Sequence, residues 1–220
     1  YWQLYDYYGV PCAAYYGTKK ACEPLQLIYN YKDSHVYLVN EGLYEGDVEV
    51  SVKVYDDVSA LLGEQAKTVK TSYRNNVDAF DMTAYAGKPH FIALEVKCKD
   101  GKVIADNFYC IAAERNVYDW DNFDWYITPI KKHSDLRFAF AQPQAEVAME
   151  TSYADGVYTV TLKNNSDVVS YMNILKAKDA EGNMIVPAYW SDNFFPLLPG
   201  QTKTVTCKTD VAGANIELDK

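Results

Sequence analysis

The sequence predicts an all-β fold made of two tandem β-sandwiches that follow one short helix. Three observations support this prediction: apolar and polar residues alternate through most of the chain, turn residues recur at regular spacing, and the two halves share a faint repeat. The chain has 220 residues, of which 49% are apolar. This length suffices for two domains that each bury a core of their own.

The one stretch with good helical composition is residues 11–23. Pro11 suits the first turn of a helix, Lys19 and Lys20 suit the last turn, and Pro24 ends it. We expect this helix to bury a modest apolar stripe along one side.

After this helix the period of the apolar residues changes to two. The clearest case is residues 48–55, where four valines alternate with Glu49, Ser51, Lys53 and Tyr55, a pattern typical of a half-buried strand. Asp100-Gly101 supplies the residues of a tight hairpin turn. The strands predicted in this half are residues 25–29, 36–39, 48–55, 69–73, 91–98 and 102–111.

A second series of strands follows residues 128–134, which lack periodicity and mark the best domain boundary. The faint repeat places Asp106-Asn107-Phe108-Tyr109 after one turn and Asp192-Asn193-Phe194-Phe195 after another. Because solenoids and propellers need more than two copies, the repeat favours two sandwiches. The second series is predicted at residues 146–151, 157–162, 171–177, 184–188 and 202–208, and the domains at 1–24, 25–130 and 134–220.

The charge of the chain is acidic, with a formal net value of −9. No basic face is left to neutralise phosphates, which excludes nucleic acid and anionic membrane surfaces as partners. No apolar run approaches the roughly 20 residues that cross a bilayer, so membrane insertion is not expected. The chain opens without Met or a targeting signal and is interpreted as part of a longer polypeptide.

The five cysteines are odd in number and follow no paired or zinc-ligand spacing. A two-residue turn at Asp100-Gly101 would set Cys98 opposite Val103 and Cys110 opposite Phe91. A disulfide between these two cysteines is therefore not expected, and free thiols are predicted.

No residue pattern predicts catalysis. His35, His90 and His133 stand far apart in sequence, and none has a partner at the spacing of a metal site or a triad. Phosphate-binding loops, nucleophile elbows and Cys-His pairs are not found in the sequence. We therefore predict no catalytic residue, no metal site and no cofactor.

The segment around Asp119 and Asp121 invites a comparison with a calcium loop. These two residues would fill positions 1 and 3 of an EF-hand, but Phe123, Asp124 and Ile130 stand at positions that need other residues. Capping of turns by the short acidic side chains is the favoured role. An irregular calcium loop is the alternative.

Trp120, Trp125 and Trp190, with Tyr189, are candidates for carbohydrate binding, because aromatic rings offer apolar faces to the C–H surface of a pyranose. The other interpretation, which we favour, is that these residues fill the sandwich cores and an interface with a neighbouring domain. They follow strand alternation or lie beside predicted domain junctions.

Several short motifs, spread over nearly the whole chain, fit one known family. They are residues 2–8 (WQLYDYY), 14–21 (AYYGTKKA), 23–25 (EPL), 107–109 (NFY), 119–122 (DWDN), 125–129 (WYITP), 190–195 (WSDNFF) and 198–201 (LPGQ). With these motifs the chain resembles the C-terminal region of a glycoside hydrolase family 2 enzyme, most closely the exo-β-D-glucosaminidases and secondarily the β-mannosidases.

The resemblance implies that residues 1–24 are the end of a catalytic (β/α)8 barrel and that both sandwiches are immunoglobulin-like. The family hydrolyses β-glycosides with retention through two glutamates, and no position of this chain matches either of them. The resemblance therefore implies an accessory and catalytically inactive fragment. It also implies a parent enzyme that is periplasmic or secreted.

The implied partner is the upstream catalytic barrel of the same polypeptide. A glycan bound by a carbohydrate-binding module is one alternative, and a structural spacer or adhesin-like stalk is another. Without the barrel, the helix either docks on the first sandwich or exposes its Tyr15 and Tyr16 face. Self-association through that exposed face is a further hypothesis.

Overall fold

The computed structural model describes residues 3–42 and 44–219, and the chain is mostly β, as predicted. The residues form two compact units. The first unit is Pro24–Ala141. The second unit contains the described residues up to Glu23 and those from Gln142 onward, and it includes helix α1 (Ala13–Ala21).

The first unit is a sandwich of two antiparallel sheets, one ordered β1-β2-β5 and the other β4-β3-β6-β7. A separate two-stranded ladder of β8 and β9 follows, and then the short helix α2. The elements are β1 (Leu25–Asn30), β2 (His35–Asn40), β3 (Gly46–Asp56), β4 (Leu61–Thr71), β5 (Asn75–Asp81), β6 (His90–Lys97), β7 (Val103–Ile111), β8 (Val117–Tyr118), β9 (Ile130–Lys132) and α2 (Arg137–Phe140).

The alternation along β3 builds the core of this sandwich. Val48, Val50, Val52 and Val54 are all buried, because every second side chain of a strand points to the same face. They belong to one apolar cluster with residues of the opposite sheet such as Leu38.

The hairpin between β6 and β7 differs slightly from the prediction. Cys110 pairs with Phe91 as expected, but Val103 pairs with Lys97, because a bulge lies between Val96 and Lys97. The loop has three residues and ends at Gly101, whose φ of +80° favours glycine. All five cysteines are free.

Strand β5 was not predicted, and the strand predicted at 69–73 runs past the end of β4 into a turn. Asn75 and Asp78 have low β-propensity, which hides this strand in the sequence. Its burial of Ala79 and Phe80 against the core outweighs that preference.

The first unit extends past residue 130, where the sequence places its end, as far as Ala141. Phe91 points away from the core because its neighbour Ile92 points into it. The ring of Phe138 in α2 covers Phe91 at a centroid distance of 4.9 Å. This contact keeps the segment after β9 with the first sandwich.

The second unit is also a sandwich, with sheets ordered β10-β11-β15-β13 and β14-β12-β16. Two packed antiparallel sheets of three and four strands in each unit are the architecture of immunoglobulin-like domains. The strands are β10 (Val147–Ala154), β11 (Val157–Asn164), β12 (Ser170–Lys178), β13 (Tyr189–Trp190), β14 (Phe195–Leu197), β15 (Thr202–Lys208) and β16 (Asn215–Asp219).

The strand predicted at 184–188 does not form, apart from one isolated bridge between Met184 and Lys178. Pro187 has no N–H group to donate to a ladder, which disfavours a strand there. Strands β14 and β16 were not predicted. They are short and carry little alternation of their own.

Helix α1 packs on the second sandwich, so both predicted fates for it, docking on the first sandwich or exposing its tyrosine face, were wrong. Tyr16 is buried in the core cluster of that sandwich, and its ring lies 5.8 Å from the ring of Phe194. Lys19 Nζ donates a hydrogen bond of 2.6 Å to the Ser191 carbonyl. The helix face invoked for self-association is therefore covered at Tyr16.

A buried asparagine closes one end of the first sandwich. Asn40, the last residue of β2, has no solvent exposure. Its Nδ2 group lies 2.7 Å from the Tyr44 carbonyl, 2.9 Å from the Ser72 carbonyl and 3.1 Å from Thr71 Oγ1, and donates to them. Its Oδ1 accepts the Gly42 N–H at 3.1 Å. Asn40 thus ties its own sheet to the end of β4 in the other sheet.

The second sandwich repeats this arrangement at Asn164, the last residue of β11, which is equally buried. Its Nδ2 group donates to the carbonyls of Val168, Leu197 and Leu198 at 2.8, 3.1 and 3.2 Å. Its Oδ1 accepts the Ser166 N–H at 3.0 Å. The two sandwiches therefore share an asparagine clamp, our name for Asn40 and Asn164 with these bonds.

Replacing Asn164 by Ala is expected to lower the free energy of unfolding by about 2–4 kcal/mol, because buried carbonyls lose their donors. Urea unfolding measures the change. Asn165→Ala removes the neighbouring, exposed amide and serves as the matched control, with no comparable loss expected. Equal stability of the two variants would contradict the role assigned to the clamp.

The buried imidazole of His90 predicts a pH dependence of stability. Its Nδ1–H donates to the Lys88 carbonyl at 2.8 Å, and Nε2 has no hydrogen-bond partner among the described residues. Burial lowers the pKa of His90 below its usual value. Near pH 6.5 the unfolded chain therefore binds a proton at His90, whereas the folded chain does not. The free energy of unfolding falls as the pH drops below about 6.5.

We expect His90→Asn to reduce this loss of stability at acid pH. The asparagine amide can donate to the Lys88 carbonyl, as His90 Nδ1 does, but it does not bind a proton in this pH range. His133→Asn changes an exposed imidazole and is the control. The pKa of His35 is raised by its hydrogen bond to Asp78, which contributes in the opposite direction but equally in all three proteins. Urea midpoints between pH 7 and 5 that fall in parallel for all three would refute the assignment.

Candidate functional site

Two of the three candidate tryptophans lie in one hairpin, residues 117–132, which we call the aromatic hairpin. Strands β8 and β9 form its base, with Val117 paired to Lys132. At its tip Asp124 and Ile127 exchange two backbone hydrogen bonds of 3.0 and 2.8 Å. The backbone therefore sets the two tryptophans on a defined scaffold.

The apolar side chains of the aromatic hairpin face solvent. Trp120 is 69% exposed and Trp125 is 80% exposed, and Phe123, Tyr126 and Ile127 are about half exposed. A cluster of exposed apolar side chains of this kind is typical of a surface that contacts another molecule or domain.

The tip holds Trp125 in an unusual backbone conformation, with a φ of +48°. For a residue with a Cβ atom this region costs roughly 1–2 kcal/mol. The indole packs edge-on against Tyr126, with ring centroids 4.3 Å apart and an angle of 73° between the planes. Trp120 lies 5.6 Å from Tyr118 at an angle of 39°.

The acidic residues of the aromatic hairpin converge on a lysine. Asp119 accepts a hydrogen bond of 2.7 Å from Asn122 Nδ2 and pairs with Lys131 Nζ at 3.0 Å, and Asp121 lies 3.4 Å from the same ammonium. The bonds from Asn122 and Lys131 lower the pKa of Asp119. Among the described residues, no group of three or more His, Cys, Asp or Glu side chains is placed to hold a metal ion.

Trp190 does not share this surface. It is 7% exposed and belongs to the core cluster of the second sandwich, where it pairs with Cys207 across the β13–β15 ladder. Tyr189 points the opposite way and is well exposed, because neighbours on a strand face opposite sides. Of the three predicted carbohydrate-binding tryptophans, the structure brings only Trp120 and Trp125 together.

The three histidines lie in different surroundings. His35 Nδ1 lies 2.9 Å from Asp78 Oδ2 and its Nε2 lies 3.7 Å from Asp81, which forms an ion-pair cluster on β2 and β5. His90 is buried and His133 is exposed.

No helix among the described residues is long and apolar enough to cross a membrane.

A second exposed aromatic pair was missed in the sequence. Asp6 Oδ1 accepts the N–H groups of Tyr8 and Val10, both at 2.9 Å, and closes a tight turn. Tyr7 and Tyr8 lie at this turn with ring centroids 5.2 Å apart, and they are 95% and 76% exposed. The spacing of Asp6 and Gly9 is a turn signal that could have found it.

Comparison with known proteins gives a family match that begins at the tip of the aromatic hairpin. The family described as Exo-beta-D-glucosaminidase Ig-fold domain matches residues 125–219. These residues are therefore similar to the Ig-fold domain of exo-β-D-glucosaminidases. The match begins at Trp125 and continues through the second sandwich to the end of β16.

Curated relatives carry the exo-β-D-glucosaminidase resemblance across the rest of the chain. The exo-β-D-glucosaminidase of Hypocrea jecorina is 29% identical over 210 residues, which are 90% of this chain and 24% of that protein. The enzyme of the same name from Amycolatopsis orientalis is 29% identical over 219 residues, or 94% and 21% of the two chains. The chain thus spans about a quarter of the length of these relatives.

Solved structures show the same resemblance. The exo-chitosanase CsxA of Amycolatopsis orientalis matches with a TM-score of 0.88 and 28% identity, covering 99% of this chain and 27% of that one. A β-D-mannosidase from Dictyoglomus thermophilum matches with a TM-score of 0.67 at 16% identity, over 98% and 24%, a likeness in fold alone. The predicted resemblance to the C-terminal region of family 2 exo-β-D-glucosaminidases is confirmed.

Asp119 is expected to hold the aromatic hairpin in place. Asp119→Ala removes the acceptor for Asn122 and Lys131, so the amides of residues 117–132 should exchange with solvent several-fold faster. Asp121→Ala removes a 90% exposed carboxylate and is the matched control, with unchanged exchange. Hydrogen-exchange mass spectrometry makes the comparison, and equal exchange in both variants would argue against this role.

Proposed function

We propose that the chain is the non-catalytic accessory region of a larger glycoside hydrolase family 2 enzyme, a retaining exo-β-glycosidase that acts on β-D-glucosaminides. The observation that supports this most is coverage: nearly all of this chain aligns with about a quarter of exo-β-D-glucosaminidases of two genera. The rest of such an enzyme supplies the catalytic barrel.

The choice of substrate rests on the relatives. CsxA has been solved as complexes with PNP-β-D-glucosamine, and its structure is 28% identical to this chain, against 16% for the β-D-mannosidase. Glucosaminides are therefore favoured over mannosides. Export of the parent enzyme to the periplasm or the outside is part of the same proposal.

The accessory role fits the way α1 is held. Tyr16 is buried in the second sandwich and Lys19 donates a hydrogen bond to Ser191. These contacts hold helix α1, and with it the end of the segment that precedes the helix, on the second sandwich. If helix α1 is the last helix of the catalytic barrel, a sandwich that packs on it would stabilise the barrel against local unfolding.

The pure chain is expected not to hydrolyse p-nitrophenyl β-D-glucosaminide, whereas the longer polypeptide of its source should. Release of p-nitrophenol measures both. Hydrolysis by the pure chain would contradict the accessory role, and hydrolysis of the mannoside in preference to the glucosaminide by the longer polypeptide would contradict the proposed substrate.

Carbohydrate binding by Trp120 and Trp125 is a second candidate function, favoured by the exposure of both indoles. Titration of the pure chain with chitosan oligomers tests it. The candidate requires saturable binding that Trp120→Ala and Trp125→Ala each weaken.

A further inference from the structure

We propose that the aromatic hairpin is a docking surface for the catalytic part of the longer polypeptide. This inference rests on the proposed function and adds to it the residues that make the contact. Trp120, Phe123, Trp125 and Tyr126 would form its centre.

The composition of the hairpin is that of a protein interface. Tryptophan, tyrosine and phenylalanine are enriched at the centres of protein interfaces, where they supply most of the binding energy. Here four such side chains, with Ile127, lie within eight consecutive residues, and each is at least half exposed.

The ring geometry favours a protein over an extended glycan. A sugar chain lies flat on aromatic rings whose planes are parallel, because its C–H faces are themselves nearly flat. The rings of Trp125 and Tyr126 stand 73° apart and those of Trp120 and Tyr118 stand 39° apart. Each tryptophan is therefore tilted against the aromatic ring packed beside it, which disfavours a flat platform for a sugar chain.

The hairpin is also organised before any partner arrives. Asp119 and Asp121 share the ammonium of Lys131, Asn122 is bonded to Asp119, and Lys132 pairs with Glu114. The contacts of Asp119 hold the backbone of the hairpin in place. Docking would then cost little ordering entropy.

The partner that docks on the aromatic hairpin is inferred from the length of the related enzymes. The chain spans about a quarter of the exo-β-D-glucosaminidases that it resembles, so most of such a polypeptide lies outside it. A contact within one polypeptide benefits from a high effective concentration. A partner on the same chain therefore needs only this small aromatic surface.

Hydroxyl-radical footprinting tests the proposal on the protein in two forms, the pure chain and the longer polypeptide of its source. Oxidation of Trp120 and Trp125 should fall about tenfold in the longer polypeptide, because an interface centre excludes water. Tyr73 is an exposed aromatic residue of the same unit outside the hairpin, and its oxidation should not change.

A variant supplies the second readout. Trp125→Ser in the longer polypeptide should lower the temperature at which glucosaminidase activity is lost, whereas Tyr73→Ser should not. The pure chain with Trp125→Ser should keep its urea midpoint, which shows that the substitution leaves the sandwich folded.

Each other outcome overturns the inference. Equal oxidation of the two tryptophans in both forms refutes docking but leaves the accessory role intact, provided that the longer polypeptide is active. Protection of Trp120 and Trp125 in the pure chain by chitosan oligomers assigns the surface to a glycan instead. A longer polypeptide without glucosaminidase activity would refute the proposed function itself.

Discussion

Each sandwich depends on a fully buried asparagine at the end of its second strand. Asn40 and Asn164 each donate hydrogen bonds to carbonyl groups of neighbouring turns, and each joins the two sheets at one end. A buried carbonyl without a donor costs about 1–3 kcal/mol. One side chain thus allows two loops to come close together at the edge of an apolar core, and the valine, leucine and isoleucine side chains fill the rest.

The aromatic hairpin and helix α1 are each attached to one of the two sandwiches. The aromatic hairpin leaves the first sandwich after β7 and is held by Asp119 and Lys131, while Phe138 brings the chain back onto Phe91. Helix α1 is held by Tyr16 and Lys19 on the second sandwich. Held aromatic segments of this kind agree with the proposed accessory role.

Much of the fold followed from the sequence, because period-two alternation reports burial directly: the valines of β3 and the pairing of Cys110 with Phe91 were predicted correctly. Trp190 fills the core of the second sandwich, which is the interpretation favoured from the sequence. Strand β5 was missed, since it depends on tertiary packing that overrides local preference. The asparagine clamps were missed for the same reason. Nothing in the sequence around Asn40 or Asn164 shows that three acceptors will meet there. Within the candidate site, Trp120 and Trp125 were found because tryptophan is conspicuous, but their tilted planes needed coordinates.

The most direct test of the central claim is the reading frame immediately upstream of Tyr1 in the source gene, translated for several hundred residues. The account predicts alternating strands and helices with two glutamates at the carboxyl ends of barrel strands, running without interruption into this chain. A start codon directly before Tyr1, or a further series of sandwiches, would contradict it.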